Sequence, residues 1–289
     1  MRPWHIAAFA LLGLIWGSEW LATRALDLPL LAGVAVRYAI GAVVLGVVVV
    51  VRRIRLPGLR LLMPGAVTGV TFIGLPAILT VWASGRVSPG LLVVILAMTP
   101  LIAALLEGRA SGAVLAPLVG GVAGIALLAS QGLSFAAMQW AGALAVLAAT
   151  VSIAGSVVFM KRKLADIPEP VLGAIQLAAG AVCVGLASVL IEPRSAFLWS
   201  WKSAGVEVGL GILGGAAALQ IYYWLLLRLE SFQLTATQWI ATVVGVGESL
   251  LLVRATPSWR IVVGAAISLE SVWVLLQVQP GEEGPLTIE

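Results

Sequence analysis

Ten apolar stretches follow one another with little between them, near residues 4–23, 29–51, 59–83, 88–106, 112–131, 138–160, 168–191, 204–227, 232–253 and 259–279. Each is long enough to cross a bilayer as a helix, the open-ended element that satisfies its own backbone groups in lipid. Charge does not coat these stretches: only 10% of residues are charged against 61% apolar, where a soluble domain carries roughly 25% charged. A soluble enzyme, a disordered chain and a disulfide scaffold are thereby excluded, the last because Cys183 has no second cysteine to pair with. The net charge of +4 lies in short clusters between apolar runs and reads as a topology signal, with no pattern for nucleic acid. The first stretch holds Glu19 with no small-residue cleavage pattern after it, so it is expected to be retained as a helix.

Basic residues in short loops set orientation. With the N-terminus in the cytoplasm, ten fall inside (Arg2, Arg52, Arg53, Arg55, Arg60, Arg109, Lys161, Arg162, Lys163, Arg228) and six outside (Arg24, Arg86, Arg194, Lys202, Arg254, Arg260). Trp140, Trp199, Trp201 and Trp259 then anchor the outer ends. The expectation is a multi-pass inner-membrane protein, monomeric or homodimeric, with both termini and the acidic tail 281–289 in the cytoplasm.

The chain also repeats. A shift of 139 residues matches Arg24 with Lys163, Asp27 with Asp166, Pro29 with Pro168, Gly41 with Gly180 and Gly46 with Gly185. A shift of 142 matches Gly69 with Gly211, Trp82 with Trp224 and Arg86 with Arg228; at 144, Gly120 meets Gly264. The ordered run predicts two five-helix units, 1–137 and 138–280. An odd count forces the second unit into the membrane upside down, the arrangement by which many secondary transporters place a substrate site between repeats. The fold expected is all-α, integral to the membrane, with ten transmembrane helices as two inverted five-helix repeats.

Leu14-Ile15-Trp16-Gly17-Ser18, then Leu28-Pro29, then Val36-Arg37-Tyr38 before a small-residue helix, resembles the opening of an EamA repeat. Thr99-Pro100-Leu101-Ile102-Ala103-Ala104-Leu105-Leu106 resembles that repeat's fourth helix. Nearly the whole chain is thus similar to the drug/metabolite transporter superfamily, and within it to amino-acid exporters of the YddG type. The resemblance implies a central cavity lined mainly by helices 1, 3, 4, 6, 8 and 9, and transport without ATP hydrolysis.

Ionisable groups in mid-span cost roughly 2.5–3.5 kcal/mol each on insertion scales and are functional candidates for that reason. Glu19 and Arg37 each lie nine residues from a turn near residue 28, so both sit about 13 Å below it on antiparallel helices and are expected to pair. Two readings stand: a structural clamp, or a charge that meets substrate or a coupling proton. Neutralising Glu19 alone is expected to harm more than removing both charges together. Glu248, after Gly245-Val246-Gly247 in the ninth span, is suited to carry a coupling proton or to bond a neighbouring hydroxyl. Glu107 reads as a solvated helix end and Glu270 as a contact between helices.

Thr235, Gln238, Thr242, Gly245 and Ser249 share one face of the ninth span, and amide and hydroxyl groups there suit a polar substrate group or interhelical bonds. Gln220, Tyr223 and Trp224 in the eighth span, Thr68, Thr71 and Trp82 in the third, and Trp16 and Trp20 in the first complete the candidate lining. Glycine pairs 13/17, 65/69, 120/124, 205/209 and 211/215 are expected to be close-packing surfaces, and Pro76 and Pro100 to kink their helices.

An intramembrane enzyme is the main rival, but Asp27 and Asp166 sit in loops, His5 is the lone histidine, and no G-x-x-x-x-G-K-[ST] occurs. The expected function is a secondary transporter of small organic metabolites without cofactor or metal, with amino-acid export as its task. Export of drug-like or cationic compounds and flipping of a lipid-linked substrate are the alternatives.

Overall fold

The computed structural model describes residues 3–24, 28–135, 139–193 and 200–278. These are all helical, without strand. Eight helices are long and apolar enough to cross a membrane: α2 (Leu30–Val51), α3 (Leu59–Ser84), α4 (Pro89–Glu107), α6 (Trp140–Lys163), α7 (Glu169–Ile191), α8 (Trp201–Leu226), α9 (Ser231–Val253) and α10 (Trp259–Gln277). Beside them stand α1 (Pro3–Arg24) and the shorter α5 (Gly112–Leu128). Boundaries fall within a few residues of those read from hydropathy. Asp27, Arg194, Trp199 and the tail 281–289 lie outside the described residues.

Four helices are interrupted. In α3 the turns widen to a π-helix over Gly69–Gly74, directly before Pro76. Proline has no N–H, so the carbonyl four residues earlier, on Phe72, loses its helical donor. α8 widens likewise over Gly211–Ala217. α4 restarts at Thr99-Pro100 and α9 at Thr237, so both proline breaks expected from sequence are present.

Two ends of the bundle are defined by hydrogen bonds. At one, Arg162 donates to the Leu106 carbonyl (3.3 Å) and Glu107 accepts the Ser231 N–H (3.1 Å). Gly65, just after the basic cluster 52–60, faces Leu172 and Ile175 there. At the other, Glu192 accepts the N–H groups of Leu31 and Ala32 (2.8 and 3.0 Å), capping α2, and Gln139 donates to the Arg86 carbonyl (3.1 Å). We call these the basic end and the opposite end.

The main packings pair α2 with α7 and α8, α3 with α6 and α7, α5 with α10, α1 with α9, and α4 with α6. Small residues permit the closest of them. A Cβ on Gly13 would stand 2.5 Å from Ile240, and one on Gly124 would stand 2.8 Å from the Gly264 carbonyl. The pair 205/209 is a correction, because both glycines face open space. Glu270 is another: it is exposed on the outer face of α10 and is not packed between helices.

Candidate functional site

Arg37 lies two turns into α2 and is 6% exposed. Its guanidinium reaches three side chains on two other helices: Nη1 to Glu19 Oε2 at 3.2 Å, Nη2 to Thr23 Oγ1 at 3.0 Å, and Nε to Glu207 Oε2 at 3.3 Å. Glu19 and Thr23 are one turn apart on α1, where the Thr23 hydroxyl also donates to the Glu19 carbonyl (2.8 Å). Glu207, on α8, is 1% exposed, and its Oε1 has no hydrogen-bond partner. Two carboxylates therefore share one guanidinium, a formal charge of −1 when all are ionised.

The pairing read from sequence is present, but it belongs to a triad. Glu207 escaped the sequence reading because spacing along one hairpin places Glu19 opposite Arg37 but says nothing of where α8 packs. The signal available was its position six residues into α8, a carboxylate in a span.

The triad opens on a cavity of about 310 Å³ in the middle of the bundle. Glu19 and Arg37 line it and Glu207 does not. Gly214, in the widened turn of α8, makes room for the Glu19 carboxylate: a Cβ there would stand 1.8 Å from Oε1. The Gly214 carbonyl accepts the Trp16 indole N–H (3.3 Å). Trp16 and Phe72 each stand 5.4 Å from the Tyr222 ring, forming an aromatic wall. The neighbouring α9 contributes Leu234, Thr235, Gln238, Ala241 and Thr242. Tyr38 and Leu177 bring α2 and α7 into the lining, beyond the six helices the resemblance implied.

Of the sequence candidates, Trp16, Glu19, Arg37, Thr235, Gln238 and Thr242 line the cavity. Thr71, Trp82, Gln220 and Tyr223, expected in the lining, lie outside it. Phe72, Ile73, Pro76, Ala77 and Thr80 face inward from α3 and Gly215, Leu219 and Tyr222 from α8. The displaced polar groups find partners on other helices. Thr71 bonds Ser156 (2.8 Å), Gln220 donates to the Glu169 carbonyl (3.2 Å), and the Tyr223 hydroxyl donates to Gln176 Oε1. Trp82 sits at the end of α3 with the Arg86 guanidinium 3.8 Å above its ring. Glu248 also lies outside the lining: Ser18 donates to its Oε1 (2.5 Å), and its Oε2 is buried without a partner.

Two polar layers stand on the basic-end side of the cavity. Gln176 donates to Thr68 Oγ1 (2.6 Å) and to Met160 Sδ (3.0 Å). Beyond it, Lys161 joins Glu230 and approaches Glu107 (3.8 Å), and Arg109 lies 3.8 Å from Glu230. Burial along α9 changes accordingly: residues 231–237 are all buried, whereas each of 242–250 is only half-buried.

No family model matches the chain, and no curated protein does. Among solved structures, 29 chains match. One of them, a crystal structure of a protein 22% identical in sequence, superposes with a TM-score of 0.80 over 95% of this chain and 96% of its own, and the two share a fold.

Proposed function

We propose that the chain is a secondary transporter of small organic metabolites, an amino-acid exporter of the drug/metabolite transporter superfamily built from two EamA-like repeats. In this reading α1 to α10 all cross the inner membrane, with the basic end in the cytoplasm. The carrying observation is the central cavity, lined from both halves of the chain and bearing Glu19 and Arg37 at its wall. A buried charge cluster at an aqueous cavity in a membrane protein marks a pathway for solute or ion.

Packing supports the inverted repeat. Advancing each helix by five, cyclically, maps α2–α7 and α5–α10 onto themselves, α1–α9 onto α6–α4, and α3–α6 onto α8–α1. The widened turns at Gly69–Gly74 and Gly211–Ala217 correspond under the 142-residue shift, as do the arginines folded back on Trp82 and Trp224. Alternating access follows if the two units exchange conformations. The arrangement is then open toward the opposite end. The Lys161–Glu230–Glu107 layer serves as the inner gate. Its lysine is 26% exposed, whereas Glu107 and Glu230 are 7% and 15% exposed, so water reaches the cluster through the lysine.

Counterflow in proteoliposomes tests the reading. Saturable exchange of a soluble amino acid supports it, whereas flux that never saturates favours a channel. The formal −1 charge beside an aromatic wall favours one second reading, export of organic cations, and the same assay run with tetraphenylphosphonium decides between them. Absence of flux for every soluble solute leaves a lipid-linked substrate.

A further inference from the structure

Arg37 is bound to two carboxylates that differ in their access to the cavity. Glu19 is 22% exposed by side chain and lines the wall; Glu207 is 1% exposed and stands behind it. If a ligand draws Glu19 away, Arg37 keeps Glu207 on Nε and Thr23 on Nη2, and only Nη1 is released. The cost of an unpaired buried guanidinium, which would oppose any opening of a simple pair, is avoided. One anion and one donor edge of a cation are thereby offered side by side.

We propose that the Glu19–Arg37 pair is the head-group site for a zwitterionic α-amino acid, with Glu19 receiving the ammonium, Arg37 Nη1 the carboxylate, and Glu207 acting as the positioning residue that holds Arg37 while Glu19 exchanges. This rests on the transporter reading and names the chemistry of its site. Insertion of a zwitterion replaces one internal ion pair with two and leaves the net charge of the site unchanged. A lone cation or anion would replace that pair with a single new one and change the charge. Gly214 and Gly215 leave the wall bare next to Glu19, and Trp16, Phe72 and Tyr222 present rings to the substrate's side chain. A volume near 310 Å³ is at the small end of ligand pockets, fitting one amino acid.

The test is counterflow by the full-length protein with L-phenylalanine, its amide (ammonium alone) and its N-acetyl derivative (carboxylate alone), with the twenty amino acids as competitors and tetraphenylphosphonium in a parallel arm. Charge-assisted bonds predict that each analogue competes about ten- to a hundredfold more weakly than the zwitterion. Glu19→Gln should weaken the zwitterion by at least about tenfold and leave the N-acetyl compound unchanged, collapsing the selectivity between them. Glu207→Gln lets Arg37 close on Glu19, so KM for the zwitterion rises and discrimination against both analogues falls, with partial rescue by Glu207→Asp.

An amide or N-acetyl derivative that competes as well as L-phenylalanine overturns the head-group assignment, and so does a Glu19→Gln variant with intact selectivity. Unaltered selectivity in Glu207→Gln removes the positioning role. Flux of tetraphenylphosphonium without flux of any amino acid overturns the inference and leaves a transporter. Silence in every arm overturns both.

Discussion

Removing Arg37 by Arg37→Met leaves two carboxylates facing each other, one of them 1% exposed and already lacking a partner for Oε1. Stripping one member from a buried ion pair costs ~3–5 kcal/mol, whether as strain or as forced protonation. Glu19→Gln is milder, because Arg37 retains Glu207 at 3.3 Å and an amide oxygen still accepts, for a loss of about 1 kcal/mol. The double variant Glu19→Gln with Arg37→Met abandons Glu207 in the dark and should be as unstable as Arg37→Met alone. This reverses the expectation for an isolated Glu19–Arg37 pair, in which losing both charges is the gentler change. Adding Glu207→Gln to the double variant removes the orphan charge and should recover most of the loss. Thermal unfolding in detergent reads the series. At ~2–4 °C per kcal/mol, Glu19→Gln falls a few degrees, and the Arg37→Met and double variants fall by roughly 6–20 °C. The triple variant should return to near Glu19→Gln. A double variant more stable than Glu19→Gln, or a triple variant no better than the double, would refute the shared-guanidinium argument.

Three further outcomes are expected. A methyl at Gly121 would stand 2.0 Å from the Trp239 ring, whose indole N–H donates to the Ala97 carbonyl (2.9 Å), so Gly121→Ala should cost about 1–3 kcal/mol of stability, measured as a lower Tm. Gly214→Ala drives a Cβ into the Glu19 carboxylate; solute affinity in counterflow should fall while α10, which takes no part in the cavity lining, keeps its hydrogen-exchange protection. Lys161→Met leaves the mostly buried Glu107 and Glu230 without their shared lysine and should loosen the inner gate by more than the about 1 kcal/mol of a surface pair. Labelling from the basic end of a cysteine placed at Thr235 in a Cys183→Ser background should rise by more than about fivefold.

What sequence could show and what it could not divides along physical lines. The helical stretches are written in hydropathy, since lipid leaves the backbone few alternatives. The Glu19–Arg37 contact is legible because a short turn fixes the depth of both residues on adjacent antiparallel helices. Gln238 and Thr242 are legible because this part of α9 is regular, so periodicity keeps its phase. In α8 it is Tyr222, one residue before Tyr223, that lines the cavity. Polarity misled there as well: in a membrane interior Thr71, Gln220 and Tyr223 bond to other helices, so the lining is largely aromatic and aliphatic. Glu207 depends on how α8 packs against α1 and α2, which no local pattern records.

If the two halves thread the bilayer in opposite senses, residues 52–60 and 161–163 emerge on one face. The most direct measurement uses a Cys183→Ser background with single cysteines at Arg55, Lys163 and the exposed Trp140, probed by an impermeant maleimide in vesicles of known orientation. The first two are expected to react from the cytoplasmic side and the third from the other. Labelling of positions 55 and 163 from different faces would contradict that threading.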